Sequence, residues 1–168
     1  MNLEPRSVLG KIGRLFRALS PAQARPDDAW AAQQLPQPEL EVYRRMDPRD
    51  REHAVRVAQK LLELHPEVGT EVIRAALLHD CGKQVRPYNV LERVLIGLIA
   101  PEGPRSSQTS SGLHARTAMD VRNNHPAIGA NLILEAGGDS RVAELVRVHH
   151  NPRTDLEATW IHQIDDLE

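Results

Sequence analysis

The chain has 168 residues, 40% hydrophobic and 26% charged, which is enough for one domain with a real core and no need of disulfides. Its 21 basic and 23 acidic side chains leave a net charge of -2, so no basic field signals nucleic acid, and its single cysteine, Cys81, excludes an intramolecular disulfide and suits a reducing, cytoplasmic compartment. The longest apolar run, residues 94–100, falls well short of the roughly 20 residues of a membrane span, and no secretory signal is visible near the N-terminus.

Alternation of period two is scarce and apolar residues recur at helical spacing, so the sequence reads as an all-α, single-domain bundle. Residues 1–47 read as a helical prefix packed on a domain of residues 48–168. In the prefix, residues 7–19 put Val8, Ile12, Leu15, Phe16 and Leu19 on one stripe, with Lys11, Arg14 and Arg17 elsewhere, until Ser20-Pro21 stops the helix. Three basic residues make a weak membrane anchor, so this stripe is expected to pack on its own domain. Pro26, Pro36 and Pro38 break residues 20–40 into short pieces, with one brief helix over 28–34.

Asp47-Pro48 is a helix start, an acidic N-cap followed by proline at the first helical position, and predicts a helix to Leu64 with His53 in its second turn. A second helix over 68–80 is apolar nearly all round and should be central, with Gly82 as its stop. An apolar helix over 89–100 and a Ser-, Pro- and Gly-rich loop over 101–112 follow. Then come a helix over 126–136 closed by Gly137-Gly138, one capped by Ser140 that reaches His149, and a last one capped by Thr154 or Asp155 that carries Asp165. No internal repeat is visible in the residues.

His79-Asp80 stands where the apolar helix runs out, an imidazole beside a carboxylate, costly to bury unless something binds them. His53 lies upstream; His125, His149, His150, Asp165 and Asp166 lie downstream. A transition-metal site needs neutral imidazoles and ionised carboxylates converging from several elements, and this ordered set supplies them. A lone histidine is more often a surface or satisfied core residue, and His65, His114 and His162 are read that way.

His53, then His79-Asp80 after an apolar helix, then an acidic residue on the last helix resembles the signature of the HD-domain superfamily of metal-dependent phosphohydrolases. The resemblance covers about residues 48–168. His125-Pro126-Ala127-Ile128-Gly129-Ala130, His149-His150 and His79-Asp80-Cys81-Gly82-Lys83 look like the positions of its two-metal His-Asp-x-Gly-Lys subgroup, and the prefix resembles that of small bacterial HD proteins. The resemblance implies one or two divalent transition metals (Fe, Mn, Ni, Co or Zn). His53, His79, Asp80 and Asp165 would hold the first; Asp80 would bridge to a second held by His125 and His149. His150 and Asp166 stand as alternates or as partners that orient a ligand imidazole.

The implied chemistry is hydrolysis of a phosphate ester or anhydride in a small molecule, a nucleotide or dinucleotide, by a hydroxide held between the metals. Lys83 is a candidate phosphate ligand, with Arg147 and Arg153 behind it, and Cys81 reads as a buried filler beside the ligands or an oxidation-sensitive thiol. The stretch after His79-Asp80 lacks the acidic pair of alarmone hydrolases and the His-Asp-x-Gly-His of dNTP triphosphohydrolases, and Asn151-Pro152-Arg153 lacks the Gly-Tyr-Pro step of cyclic-di-GMP phosphodiesterases. Two alternatives remain open: an HD-type di-iron oxygenase, and a non-catalytic nucleotide-binding signalling module.

Overall fold

The structure, a computed structural model, describes residues 24–85, 118–153 and 155–168, with 118–123 given as backbone. The helices expected over 7–19 and 89–100, the loop over 101–112 and His114 lie outside the described residues. Among those residues the elements are α1 (Asp28–Gln34), α2 (Gln37–Arg44), α3 (Pro48–Leu64), α4 (Thr70–Leu78), a 3₁₀ turn (Cys81–Val85), α5 (Ala118–Glu135), α6 (Ser140–Val148) and α7 (Leu156–Leu167), with no strand. The all-α expectation is met. No helix among these residues is long and apolar enough to cross a membrane.

Local chemistry explains most boundaries. Asp47 caps α3, its carboxylate accepting from the Arg49 N–H, with Pro48 at the first helical position. Asp139 caps α6 by accepting from the N–H groups of Arg141 and Val142, and Asp155 caps α7 by accepting from the Ala158 N–H. The cap of α6 is therefore Asp139 rather than Ser140. Beyond α5, Gly137 takes φ +84°, the left-handed conformation that closes a helix, and the Gly138 N–H reaches the Ile133 carbonyl.

Three further expectations need correction. Leu35 and Pro36 are extended and end α1 after Gln34 as expected, but Pro36 and Pro38 also open a second helix not expected there, as the N-cap and first turn of α2, where a missing N–H costs nothing. Pro126 does not start a helix either. α5 begins eight residues earlier and runs through it, because an interior proline removes one N–H while the packing of the remaining turns holds the helix. Finally, α4 ends at Leu78 with His79 as its C-cap, and Gly82 lies in the following 3₁₀ turn.

α4 is the central element, in contact with α2, α3, α6 and α7, as its apolar surface anticipates. Val72, Ala75, Ala76, Leu77 and Leu78 are buried there, in one core with Tyr43 of α2, Leu61 of α3, Ile133 of α5, Leu145 of α6 and Ile161 of α7. A buried ion pair ties the elements together. Glu39 of α2 is fully buried, Arg74 of α4 grips both its oxygens, and the Asp139 N–H donates to one of them at 3.0 Å. The helices that deliver His79 and His149 thus share one carboxylate anchor.

Candidate metal centre

Two helical hairpins build the centre in the same way. In each, a long helix bearing one histidine (His53 on α3, His125 on α5) packs against a nine-residue helix that ends at a histidine, α4 at His79 and α6 at His149. The last carbonyls of a helix lack intrahelical partners, and each terminal histidine uses one. His79 Nδ1 lies 2.8 Å from the Ala76 carbonyl oxygen, and His149 Nδ1 lies 2.7 Å from that of Val146. Those contacts fix Nδ1 as the donor and turn Nε2 inward. The next residue adds another donor, Asp80 after α4 and His150 after α6.

Each hairpin therefore carries a cluster of three potential ligands: His53, His79 and Asp80 in the first, His125, His149 and His150 in the second, with ligand atoms within 4.8 Å of one another in each. Asp165 of α7 joins the first cluster, its Oδ1 lying 2.8 Å from His53 Nε2 and 3.3 Å from His79 Nε2. Asp80 joins the two. Its Oδ2 faces His79 Nε2 at 3.6 Å, while its Oδ1 lies 3.3 Å from His125 Nε2. His125 and His150 present their Nε2 atoms to each other at 3.1 Å.

These separations suit metal ligation. Two donors each about 2.1 Å from one ion lie about 3.0–3.4 Å apart, and the donor contacts here, 2.8 to 3.6 Å, bracket that range. The buried Nε2 of His149 has no hydrogen-bond partner among the described residues, and that of His79 faces the Asp165 and Asp80 carboxylates without a well-aligned hydrogen bond, although a poorly partnered buried nitrogen is costly. A cation on these lone pairs satisfies both, so the donor set fits a metal.

Ionisation favours the same reading. Burial would raise the Asp80 carboxyl, but the charges of Lys83, His79 and His125 outweigh it and hold Asp80 well below the carboxylate range. Burial likewise opposes ionisation of Asp165, and the His79 charge with the His53 contact overcomes it. Burial, reinforced by the neighbouring histidines, depresses His149 well below the ordinary imidazole value and leaves it neutral. His79 differs: burial lowers it, yet Asp80 and Asp165 raise it to about 9, so a metal binding there replaces a proton.

Not every candidate converges. Asp166 is 70% exposed and faces His162, so Asp165 is the acidic residue that the last helix turns inward. Arg147 is engaged by Asn131 and Glu144 on the outer face of α6, and Arg153 is exposed in the turn before α7 at φ 53°. Lys83 does reach the site, donating to Asp80 Oδ2 at 2.5 Å. Cys81 is buried, with burial and then the Asp80 charge pushing its thiol far up, and its sulfur packs at Gly129. It is an inert filler, not a reactive thiol. His65 stacks on Trp160 with ring centroids 4.2 Å apart, the bland role expected of it.

Gly82 shows why the spacing matters. A Cβ there would stand 2.0 Å from the His125 carbonyl oxygen, so only glycine lets the turn after Asp80 press against α5. Asp50 was not singled out from the sequence, yet it is nearly buried and its charge acts on Lys83. The signal was available, since Asp50 lies one turn before His53 on the same helix face.

The fold and the paired clusters define an all-α protein with a site suited to divalent metal. The family model described as HD domain matches residues 51–168, and the chain belongs to that family. HD domains make up a superfamily of metal-dependent phosphohydrolases. No curated protein and no solved structure matches the chain.

Proposed function

We propose that the protein hydrolyses a phosphate ester or anhydride in a nucleotide or dinucleotide. One observation carries this reading: Asp80 turns one oxygen toward the His53–His79 cluster and the other toward His125, as a carboxylate shared by two ions would. His53, His79, Asp80 and Asp165 would hold the first cation. His125, His149 and His150 would hold the second with Asp80, His150 joining as a third imidazole beside His149.

Cations held there would supply acidified water and neutralise charge on the phosphate. The chain's own residues prepare the site for that. The carbonyls of Ala76 and Val146 orient two imidazoles, burial keeps His149 neutral, and the ionised Asp80 and Asp165 offset the positive charge. Lys83, 29% exposed at its side chain beside Asp80, is the group placed to meet a phosphate oxygen.

The test is phosphate release from a panel of nucleotides and dinucleotides with Zn, Mn, Ni or Fe(II), run without oxygen. Turnover with a redox-inert metal supports hydrolysis. Turnover that demands iron and dioxygen moves the protein to the oxygenase class, and ligand binding without turnover moves it to the signalling modules.

A further inference from the structure

Asp80 is gripped by a cation that belongs to the chain. Lys83 places its ammonium 2.5 Å from Oδ2, the oxygen that faces His79, and Asp50 and Asp165 also act on that charge. The choice of lysine is unusual for this sequence, whose 21 basic residues include only Lys11, Lys60 and Lys83. An ammonium is a compact charge on a flexible stem that can leave a carboxylate, whereas an arginine fork would hold it at two points. Lys83 is also the more accessible of the two partners. Its side chain is 29% exposed and that of Asp80 only 5%, so the stem has a way outward that the carboxylate lacks.

An ammonium and a divalent ion on one carboxylate oxygen repel each other strongly in a buried setting. We propose that Lys83 is an internal counter-ion that neutralises Asp80 in the metal-free protein and is displaced when a metal enters the His53–His79–Asp80–Asp165 cluster. Loading the metal then frees an ammonium at the mouth of the site. This inference rests on the metal centre proposed above and adds an order of events: the phosphate-binding cation becomes available only once the catalytic metal is in place.

The experiment is amine labelling of the full-length protein with an acetylating reagent, with and without Zn(II), read by mass spectrometry. Lys60, paired with Glu63 on the surface, is the internal reference. Labelling of Lys83 relative to Lys60 is expected to rise at least about threefold with Zn(II). An unchanged or lower ratio, with Zn(II) binding verified by equilibrium dialysis, overturns the proposal. Lys83→Met gives a second measurement: its Zn(II) affinity should rise about tenfold as a competing charge is removed, and equal or weaker affinity overturns the proposal. Failure to bind Zn(II) removes both this proposal and the metal-centre reading. Zn(II)-dependent labelling without phosphate release from any nucleotide removes the hydrolase reading alone.

Discussion

His79 and His149 occupy the same place on two nine-residue helices, each at the C-cap with Nδ1 turned back to the carbonyl three residues earlier. Their ring centroids lie 5.4 Å apart, so two separate hairpins deliver equivalent imidazoles to one centre. The residue after each differs, Asp80 in one hairpin and His150 in the other. That difference makes Asp80 the carboxylate that links the two clusters.

The last helix offers two acidic residues and turns in one. Asp165→Ala is expected to lose bound metal and about 2 kcal/mol of stability, roughly 4–8 °C in Tm, because His53 and His79 both lose a carboxylate partner. Asp166→Ala should stay within about 0.5 kcal/mol of the parent with its metal intact. Elemental analysis and thermal unfolding of the pair check this, and the opposite pattern would move the ligand to Asp166.

His79 makes metal-free stability depend on pH. Its folded pKa of about 9 lies above the ordinary 6.5, so the stabilisation from its imidazolium is complete below about pH 6.5 and is lost as pH rises through about 9. The loss amounts to about 3 kcal/mol at most. Urea unfolding of metal-free protein from pH 6 to 10 should show the decline. Protein loaded with metal, whose His79 is already deprotonated, should show little of it, and a flat profile without metal would count against the assigned partners.

Sequence and structure agree where chemistry is local and diverge where packing decides. Asp47-Pro48 announced α3, and the apolar surface of residues 72–78 announced a central helix, since caps and periodicity are written in adjacent residues. His53, His79, Asp80, His125, His149 and Asp165 were legible through the family resemblance, and the structure brings them together. The resemblance of the two hairpins was not legible. It lies in helix length and cap position, and besides the terminal histidines the two short helices share only Val72 and Val142. Pro126 misled because its usual meaning is a helix start, and the cost of one lost hydrogen bond is small beside the packing of α5. The partnership of Glu39 with Arg74 and the Asp139 N–H spans up to 100 residues of sequence, and no local signal could reveal it.

That partnership is expected to dominate stability outside the centre. Glu39→Ala leaves the Arg74 guanidinium, 15% exposed, without its buried partner and should cost about 3–5 kcal/mol. The check is chemical unfolding alongside metal content per folded molecule. A loss below about 1 kcal/mol would show that Arg74 finds water instead.

Gly82 separates packing from charge. Gly82→Ala introduces a methyl 2.0 Å from the His125 carbonyl oxygen without altering any ligand, so α5 must shift and carry His125 with it. Affinity for the second metal should fall more than affinity for the first, as a titration with Co(II) would resolve. Two unchanged sites would mean that the turn, and not α5, gives way.

Metal stoichiometry of the full-length protein after anaerobic reconstitution is the most direct measurement of the paired-cluster centre. Two ions per chain are expected, falling to one in His53→Ala and to one in His149→Ala as each cluster is disabled in turn. Fewer than one ion per chain in the parent, or the same content in all three proteins, would contradict it.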